Sequence, residues 1–408
     1  MKQKLWTRDF TIVTAGTLVS MVGNTLAGIT ISMMVLDHTG STLLYAVFMV
    51  MNNAPKIIMP LAAGPLLDRF SRKKTIFALD YVSGILYYVM FIMLSINSIS
   101  YVFLLFATTM FGVLDSVYNV AYDSLYPNLV SKQNYSKAFS VSSMLYPIAA
   151  LATPMGAYLY GRVGVAPIIF LNAVTFFVAA FCESLVNIRE KHLSGGKAVR
   201  RRRSYKEDFQ KGIRYIAGQK GLLIITVYFC LNMFCDATQS TLILPYFKNT
   251  AGLSEMMYSV LIISGVAGRL LGGMVHYKYK YPPNTKFFIA CFVYLATCVM
   301  DGAMLFVPVA VMVLLQFFSG IMGVTSFNIR VSAIQTTIPD SYRARLNGIF
   351  SMVYALGGIA GQLVSGALAE ILPIRGVVGL FSALNVVCVA ALVMRNRRHI
   401  KPIYNVEI

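Results

Sequence analysis

Four charged side chains stand inside long apolar stretches of the sequence: Lys56, Asp115, Asp236 and Arg269. An ionised group in hydrocarbon costs at least about 2.5–3.5 kcal/mol, so such residues mark a watered path, an ion pair or a solute site. Two pairings are open, Lys56 with Asp115 and Arg269 with Asp236. They read either as structural ion pairs between helices, or as sites where Asp115 or Asp236 takes up a proton. The neighbours of the acids share their faces. Asp115, Tyr118, Asn119, Tyr122 and Tyr126 recur at helical spacing, as do Asn232, Asp236, Gln239 and Ser240, and Ser20, Asn24 and Gly28 form a third row. Tyrosines beside carboxylates suit amphipathic or cationic organic solutes, through stacking and cation–π attraction of about 0.5–2 kcal/mol. The remaining acids read differently. Glu183, Asp301 and Glu370 lie near the ends of apolar stretches and are expected at the membrane interface. Asp80 and Asp123 are expected to pair with nearby basic loops.

The elements that must position these groups are transmembrane helices. Hydrophobic residues make up 57% of the 408 and charged residues only 12%, with mean hydropathy +0.67. Soluble domains carry about 25% charged residues, so most of this surface faces something other than water. A helix needs about 20 apolar residues to cross a bilayer. Twelve such stretches recur, at 10–36, 41–66, 75–96, 100–125, 139–160, 165–188, 221–247, 255–276, 286–306, 309–329, 346–371 and 376–394. The first is too long for the core of a signal peptide and is expected to stay in the mature protein.

Charge sets the orientation. Of 35 Lys and Arg, 31 fall on or toward the side that holds both termini, counting Arg269 in the half of span 8 nearer that side and three in the loop after residue 329. Arg162, Lys248 and Arg375 fall on the other, and Lys56 lies within span 2. That bias places both termini in the cytoplasm. It also explains the net charge of +19 without nucleic acid as a partner. The six cysteines all lie in apolar stretches with no CxxC pair, and are read as small buried hydrophobes rather than metal ligands.

One long polar break, 189–220, carries Arg200-Arg201-Arg202-Arg203 and divides the chain at its middle. The expected division is a six-helix bundle over 1–190, a basic linker over 191–218 that touches anionic lipid, and a second bundle over 219–408 with a short tail. Asp208 to Gln219 has the pattern of a short amphipathic helix. The halves echo each other. Gly112 matches Gly320, Asn119 matches Asn328, Ser142 matches Ser351, and Gly156-Ala157 matches Gly366-Ala367, at offsets of 208, 209, 209 and 210. A shared offset near half the length implies a parallel duplication of six helices, one of the recognised transporter plans.

Loop 2–3 reads Gly64-Pro65-Leu66-Leu67-Asp68-Arg69-Phe70-Ser71-Arg72-Lys73-Lys74. This resembles the G-x-x-x-D-R-x-G-R-K loop of the major facilitator superfamily, with Ser71 in place of a glycine. Tyr118–Val130 and Asp208–Gly221 also resemble bacterial exporters of the macrolide-efflux and siderophore type. The resemblance implies an all-α fold of twelve transmembrane helices in two parallel halves, with spans 1, 4 and 7 lining a central cavity. It makes Gly64, Asp68, Arg69 and Arg72 a cytoplasmic latch for the outward-open state. In local terms, Asp68 is available to cap or face a helix N-terminus, and Arg69 and Arg72 to pair with carboxylates and headgroups. The second-half copy, Gly273-Met274-Val275-His276-Tyr277-Lys278, lacks the acid, so the latch is asymmetric. Two departures bear on mechanism. Thr108 stands where many drug/proton antiporters of the superfamily have an arginine, and Thr153-Pro154-Met155-Gly156-Ala157 is a degenerate form of their G-P-x-x-G-G.

Four histidines are scattered and no nucleotide-binding loop is present, so neither an enzyme nor an ATP-driven pump is expected. The reading is a secondary transporter for a small molecule, exporting hydrophobic or amphipathic compounds on a proton gradient, with no cofactor or metal. It is expected to be a monomer in a bacterial cytoplasmic membrane. Uptake of a small polar solute by symport, or a receptor sharing the fold, are the alternatives.

Overall fold

The computed structural model describes residues 5–60, 70–131, 134–187, 205–278 and 281–406. They are almost wholly helical, and no strand occurs among them. The chain divides into two compact units, Met1–Ser41 with Val47–Val199, and Thr42–Ala46 with Arg200–Ile408.

The first unit contains α1 (Arg8–Thr39), α2 (Thr42–Asn53) from Val47 on, α3 (Arg72–Ser95), α4 (Tyr101–Leu125), α5 (Tyr135–Ala150), α6 (Thr153–Val163) and α7 (Val165–Ser184). The second contains α8 (Tyr205–Gly218), α9 (Lys220–Asn249), α10 (Glu255–Lys278), α11 (Lys286–Ala303), α12 (Val309–Thr337), α13 (Asp340–Leu368), α14 (Ile374–Cys388) and α15 (Arg397–Tyr404). Among the described residues, eleven helical stretches are long and apolar enough to cross a membrane. The twelfth expected span, 139–160, is present in two pieces, α5 and α6, each too short to cross alone.

Proline makes that break. Pro147 and Pro154 have no N–H to donate to the helix ladder. The carbonyl of Ala150, which the residue at 154 would normally serve, accepts from Thr153 Oγ1 at 2.7 Å instead. A hydroxyl thus satisfies a backbone group that lipid could not. α2 also bends, at Ala54-Pro55, before the chain continues helically to Pro60.

Within the first unit α7 packs along both α1 and α3, and α4 packs on α3. In the second, α10 lies along α12 and α9 along α13. Close backbone approach depends on small residues. A Cβ at Gly112 of α4 would collide with the Asn52 carbonyl of α2, and a Cβ at Gly320 of α12 would collide with the Gly265 carbonyl of α10. The repeated pair therefore performs the same task in each unit.

Ser71 supplies the cap of α3, its Oγ accepting from Lys74 N at 3.1 Å. The residue that departs from the family pattern thus caps α3. Gly64, Asp68 and Arg69 lie outside the described residues. Arg72 Nη1 donates to Ser124 O at 3.0 Å, among the last carbonyls of α4, where the helix dipole favours a cation. The amphipathic helix expected from Asp208 to Gln219 is α8, which seats Ile216 in the core of the second unit beside Leu346 and Phe350. The C-terminal helix α15 is docked too, with Tyr404 Oη 2.9 Å from Tyr294 Oη.

Candidate functional site

A cavity of about 510 Å³ opens within the first unit, walled by α1 to α5 and α7. The polar rows of α1 and α4 both face it. Ser20, Asn24 and Gly28 contribute from α1, and Asp115, Tyr118, Asn119 and Tyr122 from α4. Tyr126, the last of the α4 row, turns away into the core, 1% exposed and 3.4 Å from Thr14 Oγ1. The rows face inward because the rest of each helix is apolar and can be turned toward lipid or neighbouring helices at no cost.

Lys56 reaches the cavity from the far side of the α2 bend. Its Nζ lies 3.3 Å from Asp115 Oδ2, so the first expected pair forms. Asn119 Nδ2 donates to the other oxygen, Asp115 Oδ1, at 3.2 Å. Close seating of α4 on α2 at Gly112 sets that register, since Asp115 stands one turn beyond the glycine and Lys56 one turn beyond Asn52. Opposite the pair, Asn24 Oδ1 accepts from Tyr87 Oη at 3.1 Å. The Tyr87 ring stacks on Phe111 at 3.9 Å and on Phe176 at 5.5 Å, giving the cavity one flat aromatic wall. Tyr118 and Tyr122 stack along α4 with centroids 6.1 Å apart.

The space beside Asp236 in the second unit is far smaller. Asp236 and Gln239 border a cleft of about 20 Å³, enough for one water, together with Cys235, Cys298 and Asp301. Asp301 Oδ1 accepts from Ser319 Oγ at 3.2 Å. Arg269 is exposed and makes no direct salt bridge with a carboxylate among the described residues, yet its charge acts on Asp236, so the second expected pair is a longer-range one. Asn232 borders neither space among the described residues.

Three residues with functional chemistry were not singled out from sequence. Glu183, expected at the interface, is 2% exposed, and Asp80, expected to pair with basic loops, is also 2% exposed. The packing of α3 and α1 against α7 encloses both. Glu183 Oε1 accepts from Tyr118 Oη at 3.0 Å, and that hydroxyl also lies 3.1 Å from Thr17 Oγ1. Asp80, Tyr118 and Thr17 all border the cavity. In the second unit Arg330 sits within α12 rather than in the loop after it, its guanidinium 4.0 Å over Phe229 and 5.1 Å over Tyr354. A signal for the acids was present in the sequence, since both lie within the apolar stretches of 75–96 and 165–188.

Comparison with known proteins places this architecture. The family model described as Major Facilitator Superfamily matches residues 13–301 and 285–405. The uncharacterized MFS-type transporter YkuC of Bacillus subtilis is 27% identical over 288 residues, 67% of this chain and 66% of that protein. Macrolide efflux protein A of Streptococcus pyogenes is 22% identical over 279 residues, 67% of each chain. The matches thus span about two thirds of the length of these curated relatives. Among solved structures, a bacterial homologue of the iron transporter ferroportin in an inward-facing state aligns with TM-score 0.70 and 14% identity, covering 99% of this chain and 100% of that one. The peptide transporter POT aligns with TM-score 0.71 and 12% identity, covering 96% and 94%. At such identities these two show the shared fold.

Proposed function

Because the chain belongs to the major facilitator superfamily, we propose that it is a secondary transporter that exports hydrophobic or amphipathic small molecules in exchange for protons. The observation that carries this reading is the cavity of the first unit. At about 510 Å³ it falls in the size range of small-molecule sites, roughly 300–1,000 Å³. Its lining combines stacked aromatics with one charge pair, a surface for greasy molecules with a polar or cationic group. The likeness to a macrolide efflux protein favours export.

In this reading the units rock in alternating access, and the solute binds against Tyr87, Phe111 and the Lys56–Asp115 pair. Asn24, Tyr118, Asn119 and Tyr122 supply hydrogen bonds, while Asn232, Asp236, Gln239 and Arg269 serve the second unit. Gly64, Asp68, Arg69 and Arg72 act as the latch. Energy comes from the proton gradient without a cofactor. The protein works as a monomer in a bacterial cytoplasmic membrane, both termini inside, surrounded by lipid. A second reading, proton-coupled uptake of a small polar solute, draws on the same ion pair, since adjacent opposite charges on a cavity wall also suit a zwitterion.

Everted vesicles with an acid interior separate the two. Accumulation of amphipathic dyes or macrolides with loss of the gradient supports export. Uptake of a polar solute by right-side-out vesicles, with no movement in everted ones, overturns it.

A further inference from the structure

The proposed export requires a proton site, and the Lys56–Asp115 pair is already neutralised by its own partner. We propose that Asp80 of α3 and Glu183 of α7 form the proton-binding centre of the first unit, which meets the solute cavity at Asp80 and at the Tyr118 hydroxyl.

Both carboxylates are 2% exposed. Asp80 Oδ2 and Glu183 Oε2 are each fully buried with no hydrogen-bond partner among the described residues. Glu183 lies close enough for its charge to act on Asp80. No Lys, Arg or His comes within ion-pair distance of either among the described residues. Buried charges are ordinarily paired or coordinated, and these acids have neither compensation. A proton taken up by either acid halves the pair's negative charge and gives an orphaned oxygen a hydrogen to carry.

The groups packed around them are accounted for. From α1 come Thr17 and Gly16, with the Cβ position of Gly16 3.7 Å from Glu183 Cγ. From α4 comes Tyr118, whose hydroxyl donates to Glu183; Asp123, a turn further on, is exposed. Arg72, Lys73 and Lys74 begin α3 about two turns before Asp80, and Asp9 in the first turn of α1 accepts from Asn187 N. The centre is therefore an acid pair that meets the cavity at Asp80, which borders it, and at the Tyr118 phenol that donates to Glu183. A proton arriving from the cavity takes the pair from two negative charges to one. When it leaves, Glu183 remains as a carboxylate accepting from Tyr118, whose ring stands in the solute's wall.

The test uses full-length protein in liposomes and two readouts. The first needs no solute: the infrared band of protonated carboxyl groups is followed across pH for wild type, Asp80→Asn and Glu183→Gln. The second is accumulation of erythromycin driven by an imposed pH gradient, compared with erythromycin counterflow without a gradient. A gradient of one unit drives about tenfold accumulation per proton exchanged. The proposal expects a wild-type carboxyl band that is lost in Glu183→Gln and altered in Asp80→Asn. It also expects both variants to lose gradient-driven accumulation while keeping counterflow. A band unchanged in both variants overturns it, as does gradient-driven accumulation that survives both substitutions. Tyr118→Phe, which keeps the ring, guards against misfolding of the acid variants: unaltered proton exchange in it overturns the route from Glu183 through the phenol. This inference rests on the export reading, yet the arms fail separately. If wild type accumulates no erythromycin, export fails for this probe, and the infrared band alone decides the dyad.

Discussion

Lys56 Nζ lies 3.3 Å from Asp115 Oδ2, and the two side chains are 41% and 43% exposed. A pair so accessible contributes about 0–1 kcal/mol to stability. Its effect is expected on solute charge instead. Asp115→Asn leaves Lys56 without its carboxylate and should weaken binding of cationic dyes about tenfold, with thermal stability nearly unchanged. Lys56→Met leaves Asp115 without its cation and should shift affinity the other way. Dye titration by fluorescence checks both signs, and equal effects on neutral and cationic dyes would refute the charge argument.

Gly112 is where α4 meets the backbone of α2. Gly112→Leu must displace the Asn52 carbonyl and Pro55, whose Cγ is 3.3 Å from the Cβ position, and should cost about 1–3 kcal/mol. Gly28, with nothing within 4 Å of its Cβ position, is the control. Gly28→Ala should stay within about 0.5 kcal/mol on thermal unfolding.

Arg330 offers a contest between two effects. Its Nε and Nη1 are buried without hydrogen-bond partners, and no carboxylate is within ion-pair distance among the described residues. Stacking on Phe229 and Tyr354 is the visible compensation. Arg330→Lys keeps the charge and loses the planar stack, and should cost about 1–2 kcal/mol. Arg330→Met removes charge and stack together and should cost less. The reverse order of melting temperatures would show that the charge has a partner of its own.

Ser71 caps α3 with its hydroxyl. Ser71→Ala should lower stability by about 1 kcal/mol, whereas Ser71→Gly should cost only a few tenths. Calorimetry of the two variants in one detergent measures the difference, and equal losses would remove the hydroxyl from the account.

The spans were legible because apolar length is a one-dimensional signal. The stretch read as 100–125 is Tyr101–Leu125, and that read as 165–188 is Val165–Ser184. Facing was legible too where polar groups repeat on one side of a helix, as from Asp115 to Tyr122. Single polar residues were harder. Asp80 and Glu183 each stand alone on an apolar helix, and only the packing of α3 and α1 against α7 decides whether an acid there meets water. Arg330 was lost to a boundary: hydropathy ended the helix at 329, but its hydrogen bonding continues to Thr337. Nor does hydropathy register the break between α5 and α6, because missing amide donors leave the apolar content unchanged.

That break also partitions tolerance to mutation. Ser142, Leu145, Tyr146 and Ala149, which border the cavity, all belong to α5. Gly156, whose Cβ position is 3.2 Å from Leu26 O on α1, belongs to α6. Because Thr153 already satisfies the carbonyl at the joint, α5 can accept new side chains without disturbing the seat of α6. Variation that retunes what the protein carries can therefore accumulate on one piece while the other stays fixed, a modular division that lets selectivity evolve without redesign of the bundle.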